Sequence, residues 1–296
     1  MSKRLIIALD AGHGMRTPGK RCMRKFDPGE TREWWLNARI MDMVEGGLAA
    51  YDCKVIRVDD RTGAQDVPLS KRVNTANAAK AAMYISMHHN AGLSGRPGGG
   101  TVVYYCSSNK ERLRQAGDLY SAIVSRTRLE GNRSQQVINH AFYVIKNTKM
   151  PAFLVENGFM DSPMDVPVIL SDDHAIKTAQ GVVAFLAKEL SLKSVSTPDS
   201  AQSTVFNGLD YSPVFDAAQY AARYTDLQEA FGNAAAALLG HFITNGMSEG
   251  RQAIDTFNVH VYKARYPDLQ KAFGNDLPAY YHHYIRCGRN EKRNAV

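Results

Sequence analysis

Near its start the chain reads Leu5-Ile6-Ile7-Ala8-Leu9-Asp10-Ala11-Gly12-His13-Gly14. The first five of these residues are apolar and predict a buried β-strand, which ends at Asp10. The histidine that follows has a glycine on each side, so the backbone can turn tightly there and leave the imidazole exposed. The segment therefore predicts a strand with a reactive histidine just beyond its carboxyl end.

Two further strand-like segments lead into polar residues of the same kind. The largely apolar run Met83–Met87 is followed directly by His88, and the run Ala152–Val155 is followed directly by Glu156. In open α/β sheets, ligands bind beyond the carboxyl ends of the strands. We therefore expect these two side chains and His13 to meet at one edge of a sheet.

The rest of the first 190 residues alternates between strand-like and helix-like patterns. Predicted strands are Leu5–Leu9, Lys54–Val58, Met83–Met87, Thr101–Tyr105 and Ala152–Val155, and predicted helices are Thr31–Leu48, Leu69–Lys80, Asn109–Arg128 and His174–Leu190. Such alternation is typical of the α/β class. We therefore predict a twisted, mostly parallel sheet flanked by helices.

The C-terminal part of the chain is a duplication. At least fifteen residues recur 42 positions later with no slip in register, beginning with Phe215 and ending with Arg251. Chance does not produce this pattern, and glycines at helix-stop positions indicate short helices in each copy. A Ser/Thr-rich stretch precedes the copies. We therefore predict an α/β domain over residues 1–192, a linker over 193–210, and a small α-helical domain of two tandem repeats over 211–296.

Charge is distributed unevenly between these parts. Residues 1–193 hold 27 Lys and Arg and 19 Asp and Glu, a net charge of +8, whereas residues 194–296 hold 9 and 10, a net charge of −1. A basic surface attracts polyanions such as nucleic acid, an anionic membrane or an anionic cell wall. The alternative is that the charge only solvates the surface. The four cysteines have no metal-type spacing, which favours free thiols in a reducing compartment.

Several classes of protein lack support in the sequence. No apolar run approaches the ~18 residues that span a bilayer, so we expect no stable membrane insertion. The N-terminal apolar segment is shorter than the core of a signal peptide, so we expect synthesis in the cytoplasm without a signal peptide. The nucleophile-elbow, Rossmann and P-loop patterns are absent.

Two histidines and a carboxylate at one edge of a sheet are typical of a catalytic zinc site, which leaves a fourth position for water. Zinc lowers the pKa of that water to about 7, and a further carboxylate is needed to move protons. Glu33, at the start of the helix after the His13 loop, is a candidate for the third ligand. Glu30, one turn earlier, is its competitor.

These motifs resemble those of the zinc N-acetylmuramoyl-L-alanine amidases of the amidase-3 group, and the resemblance covers residues 4–190. The residues that carry it are Asp10-Ala11-Gly12-His13-Gly14, Glu33 with Asn37, Leu69-Ser70-Lys71-Arg72 with Ala76-Asn77, Ile85–Asn90, Gly100 with Tyr104-Tyr105, and Phe142–Ile145 followed by Pro151–Phe159. Their order and spacing make the match specific.

The resemblance implies His13, Glu33 and His88 as zinc ligands and Glu156 as the catalytic acid and base. The spacing from Glu33 to Asn37 is what favours Glu33 over the competing carboxylate. The chain departs from the family pattern at Ala11, where proline is usual, and at position 89, where a small residue is usual. The second histidine at that position is an alternative ligand to His88.

The activity implied is hydrolysis of the amide bond between N-acetylmuramic acid and L-alanine, with bacterial lysis as the result. Two alternatives stay open: a zinc peptidase of the peptidoglycan stem peptide, which would use the same metal chemistry, and a non-catalytic wall-binding protein that keeps the fold. Appended repeats and no export segment fit a phage endolysin, which reaches the wall through a phage-type pore.

We expect the repeats to bind a cell-wall polymer, because two similar modules can engage two units of a repeating polymer at once. Their net charge indicates recognition by aromatic faces and hydrogen bonds. Candidate contacts are Tyr211, Tyr262, Tyr280 and Tyr281, and the alternative is that most of the tyrosines belong to the core. A homodimer formed through the repeats is the alternative. We expect no nucleic-acid partner.

Overall fold

The computed structural model describes residues 4–132, 134–194, 204–206 and 209–296. The chain divides into two compact units, residues 1–194 and residues 195–296. Most of the predicted linker, residues 195–203 and 207–208, lies outside the described residues, as do Met1, Ser2 and Lys3.

The first unit is built on a sheet of six strands. They are β1 (Leu5–Ala11), β2 (Cys53–Arg57), β3 (Met83–Asn90), β4 (Thr101–Tyr105), β5 (Val137–Asn139) and β6 (Ala152–Phe159). Their order across the sheet is β2-β1-β3-β6-β4-β5, and neighbours are parallel except for β4 and β6, which are antiparallel. The mostly parallel sheet predicted from the sequence is confirmed.

Helices connect these strands and cover the sheet. They are α1 (Glu33–Leu48), α2 (Leu69–Ala78), α3 (Lys110–Thr127), α4 (Tyr143–Lys146), α5 (Val166–Ile169) and α6 (Asp172–Glu189). On one face, Val73 of α2 and Val144 of α4 share a buried cluster with Ala8 and Leu154 of the strands. Successive side chains of a strand point to opposite faces, so neighbours such as Ile7, which is fully buried, face the other layer. There α1 and α3 both pack against α6.

The two strands that carry the predicted site residues are longer than the sequence pattern indicated. The predictions ended β3 at Met87 and β6 at Val155, but pairing continues to Asn90 and Phe159. His88 and Glu156 therefore do not follow their strands. They lie inside them, near the carboxyl ends and directly opposite each other in the β3–β6 register.

The second unit repeats its own structure as well as its sequence. After the short strands β7 (Val205–Phe206) and β8 (Leu209–Asp210), the first copy contains α7 (Ala217–Arg223), α8 (Thr225–Phe231), α9 (Ala235–His241) and a π-helix (Phe242–Gly246). The second copy contains α10 (Val259–Arg265), α11 (Pro267–Phe273), α12 (Leu277–His283) and a π-helix (Tyr284–Gly288). Each element of the second copy begins 42 residues after its counterpart in the first.

The same internal contacts recur in the two copies. The Tyr220 hydroxyl is 2.9 Å from Nδ1 of His241, and the Tyr262 hydroxyl is 2.9 Å from Nδ1 of His283. The guanidinium of Arg251 lies 4.7 Å from the centre of the Tyr224 ring, a contact that the second copy also makes. The predicted α-helical character of this region is confirmed.

The four tyrosines suggested as ligand contacts are core residues. Tyr211 is 5% exposed, and Tyr262, Tyr280 and Tyr281 are 0% exposed. The prediction that they offer ring faces to a polymer is therefore wrong, because the spacing of aromatic residues along a short helix does not distinguish an inward face from an outward one.

Candidate metal centre

Three of the predicted site residues come together at one edge of the sheet. Oε1 of Glu33 is 3.4 Å from Nε2 of His13 and 3.1 Å from Nδ1 of His88. One ligand atom from each of the three residues lies within 4.8 Å of the other two. Glu30 does not join them, because its carboxylate is 2.8 Å from Arg24 and is paired with arginines of the same loop.

The histidine on the loop after β1 is held by backbone geometry. His13 itself has a positive φ of 67°, an uncommon conformation for a residue with a side chain. The preceding Gly12 donates its N–H to the carbonyl of Met87, 3.0 Å away. The ring of His88 lies so close to Gly12 that a Cβ there would be 2.0 Å from its Cε1 atom. The absence of a side chain at Gly12 thus lets the two histidines approach each other.

The carboxylate between the histidines comes from the first residue of α1. Glu33 is 1% exposed, and its backbone N–H donates to the carbonyl of Lys20. Burial raises the pKa of Glu33, but the hydrogen bond with His88 and the charges of His88, His13 and Lys20 outweigh it and hold the pKa at about 2. The carboxylate is therefore ionised at neutral pH, as a metal ligand must be.

One helical turn further along α1, Asn37 links the two histidine-bearing segments. Its amide nitrogen donates to the carbonyl of Gly12 at 3.2 Å, and its amide oxygen accepts from Nδ1 of His89 at 2.8 Å. His89 is buried, and its ring is engaged with Asn37 rather than grouped with the other ligands. The structure thus brings His88, and not its neighbour, into the cluster.

A buried ion pair that was not predicted from the sequence supports the floor of the site. Arg72 of α2 is paired with Asp10 of β1 and also donates to the carbonyl of His13 at 3.1 Å. Asp10 accepts two more hydrogen bonds, from Tyr84 at 2.6 Å and from Ser86 at 2.7 Å. A charged residue at the end of a fully apolar strand was the available signal, since buried carboxylates require partners.

The fourth predicted residue lies beside the cluster. Glu156 lines the same cavity as His13 and His88, and its Oε2 atom has no hydrogen-bond partner among the described residues. Burial raises its pKa to about 7, and the charge of Glu33 adds to this effect, whereas His88 and Lys20 oppose it. Glu156 can therefore both accept and release a proton near neutral pH.

The cavity has a volume of about 620 Å³ and one apolar wall. The wall includes Pro68 and Leu69 at the start of α2 and Phe142 and Tyr143 at the start of α4. Leu69 is 50% exposed and Tyr143 is 46% exposed. The site is therefore an open cleft with an apolar lip, which suits a large substrate.

Comparison with known proteins gives a consistent result. Residues 7–188 match the family described as N-acetylmuramoyl-L-alanine amidase. The N-acetylmuramoyl-L-alanine amidase LytC of Bacillus subtilis is 34% identical over 117 residues, which are 38% of this chain and 23% of that protein. The endolysin of Bacillus phage SPP1 is 30% identical over 200 residues, which are 66% of this chain and 69% of the endolysin.

A solved structure shows the same fold. The N-acetylmuramoyl-L-alanine amidase from Clostridium difficile 630 aligns with a TM-score of 0.57 at 24% identity, over 64% of this chain and 98% of that one. Among the described residues, none of the helices is long and apolar enough to cross a membrane. The family match covers more than half of the chain and includes all four candidate site residues, and the chain belongs to the amidase-3 family of N-acetylmuramoyl-L-alanine amidases.

Proposed function

We propose that the protein is a zinc-dependent peptidoglycan hydrolase that cleaves the amide bond between N-acetylmuramic acid and L-alanine. The observation that carries the proposal is the cluster of His13, Glu33 and His88 in a cavity that Glu156 also lines. Family membership supports the reaction type. Loss of this bond detaches stem peptides from the glycan and so weakens the wall.

The three clustered side chains fit a zinc ion. Two imidazoles and one carboxylate are a common protein ligand set for catalytic zinc. Oε2 of Glu33 is buried and has no hydrogen-bond partner among the described residues, since the ammonium of Lys20 is 3.7 Å away. A closer cation would satisfy it better. When bound, zinc polarises the substrate carbonyl and lowers the pKa of a bound water to about 7.

The reaction also needs a group that transfers protons, and Glu156 is the candidate. Glu156 pairs with His88 in the β3–β6 register and lines the same cavity, and it is not one of the three clustered side chains. We assign it the proton transfers: it takes a proton from the attacking water and delivers it to the nitrogen of the leaving L-alanine. A group with a pKa near 7 is suited to both steps.

We propose that residues 1–192 form the catalytic domain, that residues 193–210 form a linker, and that the repeats of residues 211–296 bind a cell-wall polymer. The division of the chain into two compact units after residue 194 supports the boundary between the first two parts. The buried tyrosines are excluded as contacts, so the binding groups are to be sought on the outer faces of the repeats. A homodimer formed through the repeats is the competing proposal. For an endolysin, release through a pore in the host membrane would precede contact with the wall.

The test is digestion of purified peptidoglycan by the full chain with added zinc, followed by mass spectrometry of the new ends. The proposal requires stem peptides with a free L-alanine amine and glycan with a free lactyl carboxylate. New amines on other stem residues would establish the peptidase alternative instead. An absence of new ends at any zinc concentration would leave only a wall-binding role.

A further inference from the structure

One cation in the cavity lies beside the candidate metal centre and is not one of its ligands. Lys20 lies in the loop between β1 and α1 and lines the cavity with its side chain 42% exposed. Its ammonium is 3.7 Å from Oε2 of Glu33, and among the described residues this is the one ion pair that it makes. A dication bound by Glu33 would take up the charge of that carboxylate, and Lys20 would be left facing the cavity without a counter-charge.

The other Lys or Arg that lines the described part of the cavity is already occupied. Arg72 is 1% exposed and donates to Asp10, to Asp66 and to the backbone carbonyls of Val67 and His13. Its N–H groups already donate to acceptors at the floor of the site. Lys20 is therefore the cation available to a substrate.

The substrate of the proposed reaction carries a negative charge near the bond that is cut. The second residue of the stem peptide is an acidic D-residue. Its α-carboxylate is free in D-glutamate and is replaced by a neutral carboxamide in D-isoglutamine. One residue spans about 3.5 Å, so this group lies within about 7 Å of the scissile amide. A flexible lysine next to a metal ligand can reach a group at that distance.

We propose that Lys20 is a specificity residue that binds the α-carboxylate of the second stem residue. The protein would then prefer D-glutamate stems to D-isoglutamine stems. This inference rests on the proposed function, because it takes the muramoyl–alanine amide as the bond held at the centre. A hydrogen bond to a charged group contributes enough to change affinity by roughly tenfold, and the carboxamide keeps the shape while removing the charge.

Binding is measured with the full chain carrying Glu156→Gln and loaded with zinc, so that fragments bind without being consumed. The ligands are two disaccharide–peptides that differ only in the α-carboxylate or α-carboxamide of the second residue. We expect the carboxylate form to bind about tenfold more tightly. Adding Lys20→Met should abolish the difference. Lys71→Met is the matched control, because Lys71 is exposed on α2, does not line the cavity and should leave the preference intact.

Equal affinities for the two fragments, or a difference that persists after Lys20→Met, would overturn the assignment. A loss of zinc in the Lys20→Met chain would also overturn it, since Lys20 would then act through Glu33 and not on the substrate. Hydrolysis by the unsubstituted chain separates this inference from the proposed function. Cleavage without preference refutes only the role of Lys20, whereas preferential binding without cleavage refutes only the amidase reaction.

Discussion

Replacing Gly12 by alanine should disable the candidate metal centre while leaving the fold intact. A Cβ at this position would lie 2.0 Å from Cε1 of His88 and 2.4 Å from each ring nitrogen. Ordinary Cβ contacts begin at 3.4 Å, so the ring would have to retreat by about 1.4 Å, the difference between the two distances. The backbone of Gly12 cannot easily yield, because its N–H is bonded to the carbonyl of Met87 in β3.

A displacement of this size is large on the scale of metal coordination. Zinc–nitrogen bonds are about 2.0–2.1 Å long, so a ring moved by 1.4 Å no longer shares an ion with His13 and Glu33. Misplacement of a reacting group by about 1 Å costs roughly 10²-fold in rate. We therefore expect zinc affinity and peptidoglycan turnover each to fall by at least ~10²-fold in the Gly12→Ala protein.

The assay is competition for zinc with a chromogenic chelator, together with release of L-alanine amines from peptidoglycan. Gly117→Ala is the matched control, because Gly117 lies within α3 and a Cβ there meets nothing within 4 Å. The control should bind zinc normally and be slightly more stable, as alanine replaces glycine in a helix. Zinc affinity within threefold of the unsubstituted chain in Gly12→Ala would refute the packing argument.

Three further predictions follow from the site and its surroundings. Glu156→Gln should lower turnover by ~10²–10⁴-fold while zinc content by atomic absorption stays unchanged, and loss of zinc would show that Glu156 is a ligand. Arg72→Met should lower the free energy of unfolding by ~3–5 kcal/mol in urea titrations, because it leaves Asp10 buried without its partner; adding Asp10→Asn should recover part of the loss. Burial lowers the pKa of His174 to about 4, with the charge of Arg39 adding to the effect. The pKa of His174 in the folded protein is therefore below its unfolded value of 6.5, so the stability that neutral His174 contributes is present above pH 6.5 and is lost as pH falls toward about 4. In the His174→Gln protein, the urea midpoint of unfolding should fall less steeply with pH between these values. The same pH dependence in both proteins would contradict the assignment.

The sequence was sufficient to predict the fold class and the residues that meet at the sheet edge. The reason is physical: the carboxyl ends of neighbouring parallel strands share one edge, so a polar residue there must approach its counterparts on the next strands. His13 and His88 are brought together for this reason. The choice of Glu33 over Glu30 came from the family pattern. In the structure Glu33 is the buried first residue of α1, whereas Glu30 precedes the helix and pairs with arginines of its own loop.

Other features depend on contacts that no local pattern encodes. The pairing of Asp10 with Arg72 joins residues on β1 and α2 that are far apart in the chain. Strand pairing beyond Met87 was missed because polar residues inside a strand look like its end. The burial of Tyr280 and Tyr281 depends on how the two repeats close on themselves, for example through the bond from the Tyr281 hydroxyl to the carbonyl of Arg251 at 2.9 Å.

The direct pairing of His88 with Glu156 has a consequence for how this enzyme can be altered. A slip of one residue between β3 and β6 would turn one of these side chains to the opposite face of the sheet. We therefore expect an insertion in either strand to abolish activity. The exposed starts of α2 and α4, at Leu69 and Tyr143, border the same cleft but take no part in that pairing and supply no ligand to the candidate metal centre. Variant libraries that are meant to change which cell wall is cleaved should therefore vary these surface segments and keep the sequences of β3 and β6 unchanged.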